Sequence, residues 1–215
     1  MASKIITKDG STTFHSSWYD ETYHSVSGAR QEAVEKYARP CGIDSRENVT
    51  ILDICFGLGY NSAAAIDMFS GKKLRIVALE SDHEIVSEIT KIEYPFKCAE
   101  MMRKVAETGK YSDEKISIEI LFGDARETVK KLKTSFDVVF FDPFSPSKCP
   151  ELWKKEFFDS VYKVLKKKGV LATYSCAGNV RRALKEAGFC VSDGPCVGRR
   201  SPSTIAVKQD DRPRA

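Results

Sequence analysis

Four short segments place a carboxylate or paired glycines where an apolar run ends, and each carries residue types that can do chemistry. Asp53-Ile54-Cys55-Phe56-Gly57-Leu58-Gly59 closes one run, and its glycines let the backbone approach a ligand closely. Glu80 closes the next, 21 residues beyond Gly59, where a carboxylate can accept both hydroxyls of a ribose. Its rival role is to cap a helix starting near Asp82. Phe122-Gly123-Asp124-Ala125 and Phe141-Asp142-Pro143-Phe144-Ser145-Pro146 close the third and fourth. Asp124 is placed to hydrogen-bond an adenine amino group, with the Ala125 backbone on the ring edge. Asp142-Pro143 taken alone is an ordinary turn start. A dinucleotide site wants a third glycine three residues after Gly59, and Ser62 stands there. A pyrophosphate therefore fits poorly. A ligand with ribose and adenine but no phosphate does not need that glycine.

The elements that must position these residues alternate. Val49–Leu52, Leu74–Leu79, Ile116–Phe122, Phe136–Phe141 and Val170–Tyr174 read as buried strands. Helices are predicted at Tyr60–Phe69, Asp82–Thr90, Cys98–Thr108, Ala125–Leu132, Glu151–Leu165 and Ala177–Ala187. Such alternation implies a parallel sheet. Phe189–Ser192 and Thr204–Lys208 have no helix between them, so they are predicted to pair antiparallel. The fold class is α/β: a Rossmann-like, mostly parallel seven-stranded sheet closed by a C-terminal antiparallel hairpin. Residues 1–48 read as an N-terminal extension, with a hairpin of Lys4–Thr7 and Thr12–His15 and a helix from Gly28 to Arg39 capped by Ser27. Residues 49–208 form the main domain and 209–215 a frayed tail.

The chain has 215 residues and a net charge of +4. It lacks a signal-peptide core or an apolar run long enough for a bilayer, which argues against secretion and membrane insertion. Seven cysteines without a CxxC pair argue against a disulfide framework or zinc ribbon and predict a cytoplasmic protein. Residues 1–107 carry 13 Lys/Arg against 16 Asp/Glu, and residues 108–215 carry 21 against 14. The basic half is the side predicted to meet an anionic partner, although a run such as Lys166-Lys167-Lys168 also reads as a solvated helix end.

Four ordered motifs, spread from Tyr23 to Val207, carry a resemblance. They are Tyr23-His24-Ser25-Val26-Ser27-Gly28-Ala29-Arg30-Gln31-Glu32; Phe56-Gly57-Leu58-Gly59-Tyr60-Asn61; Asp142-Pro143-Phe144-Ser145-Pro146-Ser147-Lys148 with Glu151-Leu152-Trp153; and Ala172-Thr173-Tyr174-Ser175-Cys176-Ala177 with Val180-Arg181-Arg182-Ala183-Leu184. With them the chain resembles the class I methyltransferases that act on 5-aminomethyl-uridine at the tRNA wobble position. In that family this unit is the methyltransferase half of a bifunctional enzyme.

The resemblance implies S-adenosyl-L-methionine as cofactor, tRNA as partner, and no metal. It puts Gly57, Gly59 and Asn61 along the methionine moiety, Glu80 on the ribose with Ser81 beside it, and Asp124 and Ala125 at the adenine. Asp142 faces the acceptor nitrogen and also borders the cofactor. Tyr23, Gln31, Phe144, Lys148, Tyr174, Arg181, Arg182, Arg199 and Arg200 are the substrate and RNA candidates, with Lys154 and Trp153 as further phosphate and stacking candidates. Two positions depart from the pattern: Cys55 replaces a glycine, and Gln31 stands where a glutamate is expected. The chain leaves no room for the oxidase half, so another enzyme is expected to supply the aminomethyl-uridine. The rivals are an aminopropyltransferase of the spermidine-synthase type and a non-catalytic RNA-binding module.

Overall fold

The computed structural model describes residues 2–209; the expected tail, apart from Gln209, lies outside them. The Lys8-Asp9-Gly10 turn folds β1 (Ser3–Ile6) against β2 (Thr12–Ser16) as an antiparallel hairpin, to which a short β3 (Glu21–Thr22) adds. Ser27 does not cap the helix that follows. Its hydroxyl pairs with Ser25, and the free N–H groups at the start of α1 (Ala29–Glu32) are taken by the hairpin turn. Ser11 Oγ accepts from Ala29 and Arg30, and Asp9 accepts from Gln31 at 2.9 Å. The hairpin is thus the helix cap. Beyond Glu32 the helix widens into π-helical turns over Ala33–Ala38, a geometry frequent at functional sites.

The main sheet holds β4 (Asn48–Ile54), β5 (Lys73–Glu80), β6 (Lys110–Ser112), β7 (Ile116–Phe122), β8 (Phe136–Phe141), β9 (Leu165–Thr173), β10 (Phe189–Asp193) and β11 (Thr204–Lys208). Their order is β10-β11-β9-β8-β4-β5-β7-β6. The five central strands are parallel, and β10 and β11 close one edge antiparallel as expected. The sheet has eight strands rather than seven, because Lys110–Ser112 pairs antiparallel with β7. Three half-exposed residues at an edge carry no apolar run to announce them. The lysine run is also not a helix end: Lys166–Lys168 opens β9, where Lys166 pairs with Asp137 at 2.9 Å.

Strands buried on both faces explain the unbroken apolar runs. Ile51, Ile76 and Val138 pack with Tyr37, α2 (Tyr60–Met68) and Met102 and Val105 of α4 (Ala99–Thr108). Their neighbours Leu52, Val77 and Val139 pack on the other face with α5 (Ala125–Lys131), α6 (Lys155–Val164) and α7 (Gly178–Glu186). This period-two division fixes the register. The chain runs outward from β4 through β5 to β7, then returns to β8 and β9 on the opposite side of β4. The crevice at the carboxyl ends of β4 and β8 is the switch point at which open α/β sheets take ligands. No helix among the described residues is long and apolar enough to cross a membrane.

Candidate active site

A cavity of about 450 Å³ opens at that switch point. Its floor begins with the glycine loop, where Cys55 (φ 65°) and Gly57 (φ 56°) both take left-handed backbone. Glu80, at the end of β5, ties the loop down. One carboxylate oxygen accepts from Gly57 N–H at 2.7 Å, and the other accepts from Ser81 and Asp82 at 2.7 and 2.9 Å. Burial pushes the Glu80 carboxyl above its ordinary range, against the pull of these three bonds. Glu80 does not cap the next helix: Asp82 does, over α3 (His83–Ser87), and Asp82 also accepts from the Tyr23 hydroxyl at 2.7 Å. Gly59 (φ 69°) is off the cavity wall. A Cβ there would run into the Phe56 ring and the Met102 methyl, so this glycine serves packing.

Beneath the loop lies Asp53, fully buried, accepting from Ser62 Oγ at 2.6 Å. Burial pushes its carboxyl up to about 8. The folded protein therefore holds this proton more tightly than the unfolded chain. The resulting stability is full below the ordinary carboxylate value of 3.8 and is lost as pH rises through about 8. Asp53→Asn, which cannot ionise, should lose melting temperature less steeply than wild type over that window in calorimetry. Parallel curves would contradict the assignment.

At the other end, Asp142 follows β8. It accepts from Tyr37 Oη at 2.5 Å and from Asn61 Nδ2 at 2.8 Å. Burial and the nearby Glu32 charge raise its carboxyl to about 7, opposed by Tyr37, Asn61 and Lys36. Asn61 thus touches Asp142 rather than lining the cavity, and its own amide oxygen has no protein partner. Gln31 is exposed and faces a separate depression with Asp9 and Arg39. Its neighbour Glu32 lines the cavity, joined to Lys36 at 2.5 Å with the two side chains 10% and 5% exposed. Sequence reading passed over this pair. The signal was present as a Glu-x-x-x-Lys spacing on a helix whose alanines at 29, 33 and 38 mark a buried face.

The loop after Asp142 is held from several sides. Glu21 accepts from Ser145 Oγ at 2.6 Å, and the Tyr174 hydroxyl donates to Pro143 O at 3.0 Å. Phe144 stacks on Tyr19 at 4.3 Å and meets Tyr23 edge-on at 4.9 Å. Trp153 is no stacking platform: it is buried, with its indole N–H on Phe144 O at 2.8 Å. Asp124 lines the cavity but caps α5, and its carboxylate holds Arg126; Ala125 follows on the wall. Lys148 reaches Asp20 at 3.4 Å.

Arg199 borders the cavity and donates to the carbonyls of Tyr174 and Pro202. Arg182 and Arg200 are exposed. Arg181 is committed to the fold, donating to Thr204 Oγ1 at 3.0 Å, Ser203 O at 3.1 Å and Asp193 at 2.6 Å. Arg181→Ala should therefore cost about 1–3 kcal/mol in urea unfolding. Unaltered stability would reverse that view. Around the cavity stand seven carboxylates (Glu21, Glu32, Glu80, Asp82, Asp124, Asp142, Glu151) against Lys36, Arg126 and Arg199. The chamber is built for a cation.

A model of an S-adenosyl-L-methionine-dependent methyltransferase family matches residues 88–209, more than half of the chain. The chain belongs to this family. Among relatives of the methyltransferase, an uncharacterized protein of Methanocaldococcus jannaschii is 34% identical over 95% of the chain and 59% of its own length. The tRNA 5-methylaminomethyl-2-thiouridine biosynthesis bifunctional protein MnmC of Ralstonia nicotianae is 29% identical over 96% of the chain. The chain spans 34% of that protein's length. The solved MnmC2 of Aquifex aeolicus superposes with a TM-score of 0.82 at 29% identity, covering 100% of this chain and 73% of that one. A spermidine synthase superposes at 0.60 with 19% identity, which speaks to the fold alone. The site of this methyltransferase fits S-adenosylmethionine. Glu80 ends a strand on the cavity wall, where a carboxylate can accept ribose hydroxyls, Gly57 leaves room that a Cβ would take beside Tyr23, and the acidic lining suits a sulfonium.

Proposed function

We propose that this methyltransferase methylates the primary amine of 5-aminomethyl-uridine, or its 2-thio form, at the wobble position of tRNA. The observation that carries the reading is Asp142, a half-buried carboxylate at one end of an acid-lined chamber, whose hold on a proton is raised to about 7. Similarity to MnmC proteins of tRNA 5-methylaminomethyl-2-thiouridine biosynthesis supports the same substrate. The basic half of the chain suits a polyanion that carries a cationic amine.

S-adenosylmethionine supplies an activated methyl group on a positively charged sulfur. Gly57, Glu80 and Ser81 would hold its ribose and methionine end, and Asp124 and Ala125 its adenine. Asp142 accepts one proton from the substrate ammonium, freeing the nitrogen lone pair for in-line attack on the methyl carbon, whose bond to sulfur would break with the electron pair left on a neutral thioether. Tyr37 and Asn61 hold the carboxylate where that proton arrives, and the Pro143–Pro146 loop fixes the approach. The methylated amine leaves as a secondary ammonium. Another activity supplies the aminomethyl group. The test is nucleoside mass spectrometry of tRNA incubated with the protein and methyl-labelled donor. Label in a methylaminomethyl uridine is the expected result. Label in another nucleoside, or transfer of an aminopropyl group to a small amine, overturns the proposal.

A further inference from the structure

Trp18 is 91% exposed, whereas the chain's second tryptophan, Trp153, is 4% exposed. An indole left in water forgoes a large burial gain, and here the exposure is built in. Trp18 sits in the turn Ser17–Asp20 between β2 and β3. Asp20 closes that turn with φ 47°, and its carboxylate is met by His15 and Lys148, each at 3.4 Å. Tyr19 N–H donates to Ser16 Oγ. A turn fixed from three sides presents its tip in one place at low entropic cost on binding.

That place is beside the cavity. Tyr19, the next residue, lines the chamber and stacks on Phe144, which in turn packs against Tyr23. Tyr19, Phe144 and Tyr23 thus form a cluster of rings on the cavity wall, and Trp18 is the residue before Tyr19 in the chain. A chamber of about 450 Å³ lies in the range of small-ligand pockets, so nucleotides flanking the target must find their contacts outside it. We infer that Trp18 is the platform on which an unpaired base adjoining the target nucleotide stacks. This rests on the reading that the acceptor is a nucleotide in a single-stranded RNA loop. Aromatic faces stack any base, so such a contact needs no particular sequence beside the target.

The test compares wild type, Trp18→Ala and Trp18→Phe on an anticodon stem-loop bearing the aminomethyl-uridine. Trp18→Ala should raise KM about tenfold, the scale of one lost base stack, and leave kcat within about twofold. Trp18→Phe should recover most of the loss. The slope of log affinity against log salt should not change, because no phosphate contact is removed. RNA should quench wild-type tryptophan emission, and the quench should vanish in Trp18→Phe, where only buried Trp153 reports. Unchanged KM in Trp18→Ala on an RNA that wild type methylates overturns the stacking role and leaves the substrate reading intact. Wild type that methylates no RNA overturns both. A change in oligomeric state without loss of RNA affinity assigns Trp18 to contact with a second copy of the chain, and overturns the proposal.

Discussion

Asp142→Asn is expected to slow single-turnover methyl transfer by about 10²–10⁴-fold, the range for a lost general base, with donor binding retained. The substitution is mild structurally. The introduced amide can still accept from Tyr37, and its N–H₂ group can be met by the Asn61 oxygen, which has no protein partner at present, through a flip of that amide. The wild-type rate should rise with pH through about 7 and then level as Asp142 loses its proton. In Asp142→Asn that limb should disappear. Tyr37→Phe should move it upward instead, since the lost hydroxyl bond favours the ionised carboxylate. A variant that keeps most of its single-turnover rate, or keeps the limb at the same pH, would leave Asp142 a merely structural carboxylate.

Much of this arrangement is legible in the sequence because strand ends announce themselves. Apolar β-branched runs ending in Asp53, Glu80 and Asp142 place three carboxylates at one edge of the sheet, and the structure sets all three there. What the sequence could not supply is what else each side chain touches. Asn61 reads as a cofactor contact, yet Asp142 takes its amide across a separation of 81 residues. Gln31 and Glu32 are adjacent on one helix, and only the tertiary position of that helix decides which faces the chamber. The aromatics show the same limit. Trp153 and Trp18 are chemically identical, but one fills the space beside Phe141 while the other is held out by a turn. Arg181 and Arg199 read as phosphate contacts, and unpaired carbonyls at the C-terminal hairpin take their donors first.

Lys36→Met is the substitution expected to damage the fold most. It leaves the Glu32 carboxylate buried, with Ser25 N–H at 2.9 Å and no cation beside it. Stranding a buried charge in this way costs about 3–5 kcal/mol, a large share of a domain's stability, and should move the urea midpoint accordingly. The loss is one of compensation rather than of packing, so Glu32→Gln with Lys36→Met should return stability to within about 1 kcal/mol of wild type. The pair also sets the proton affinity of Asp142. Glu32 raises it and Lys36 lowers it. Removing Lys36 alone should therefore push the acid limb of the pH–rate profile upward, while the double variant, freed of the nearest negative charge, should bring it below that of the single variant. If the double variant is as unstable as Lys36→Met, the cost lies in the lost lysine stem and not in the charge. If its pH profile coincides with that of the single variant, Glu32 does not reach Asp142 electrostatically, and the helix that carries it serves only to wall the chamber.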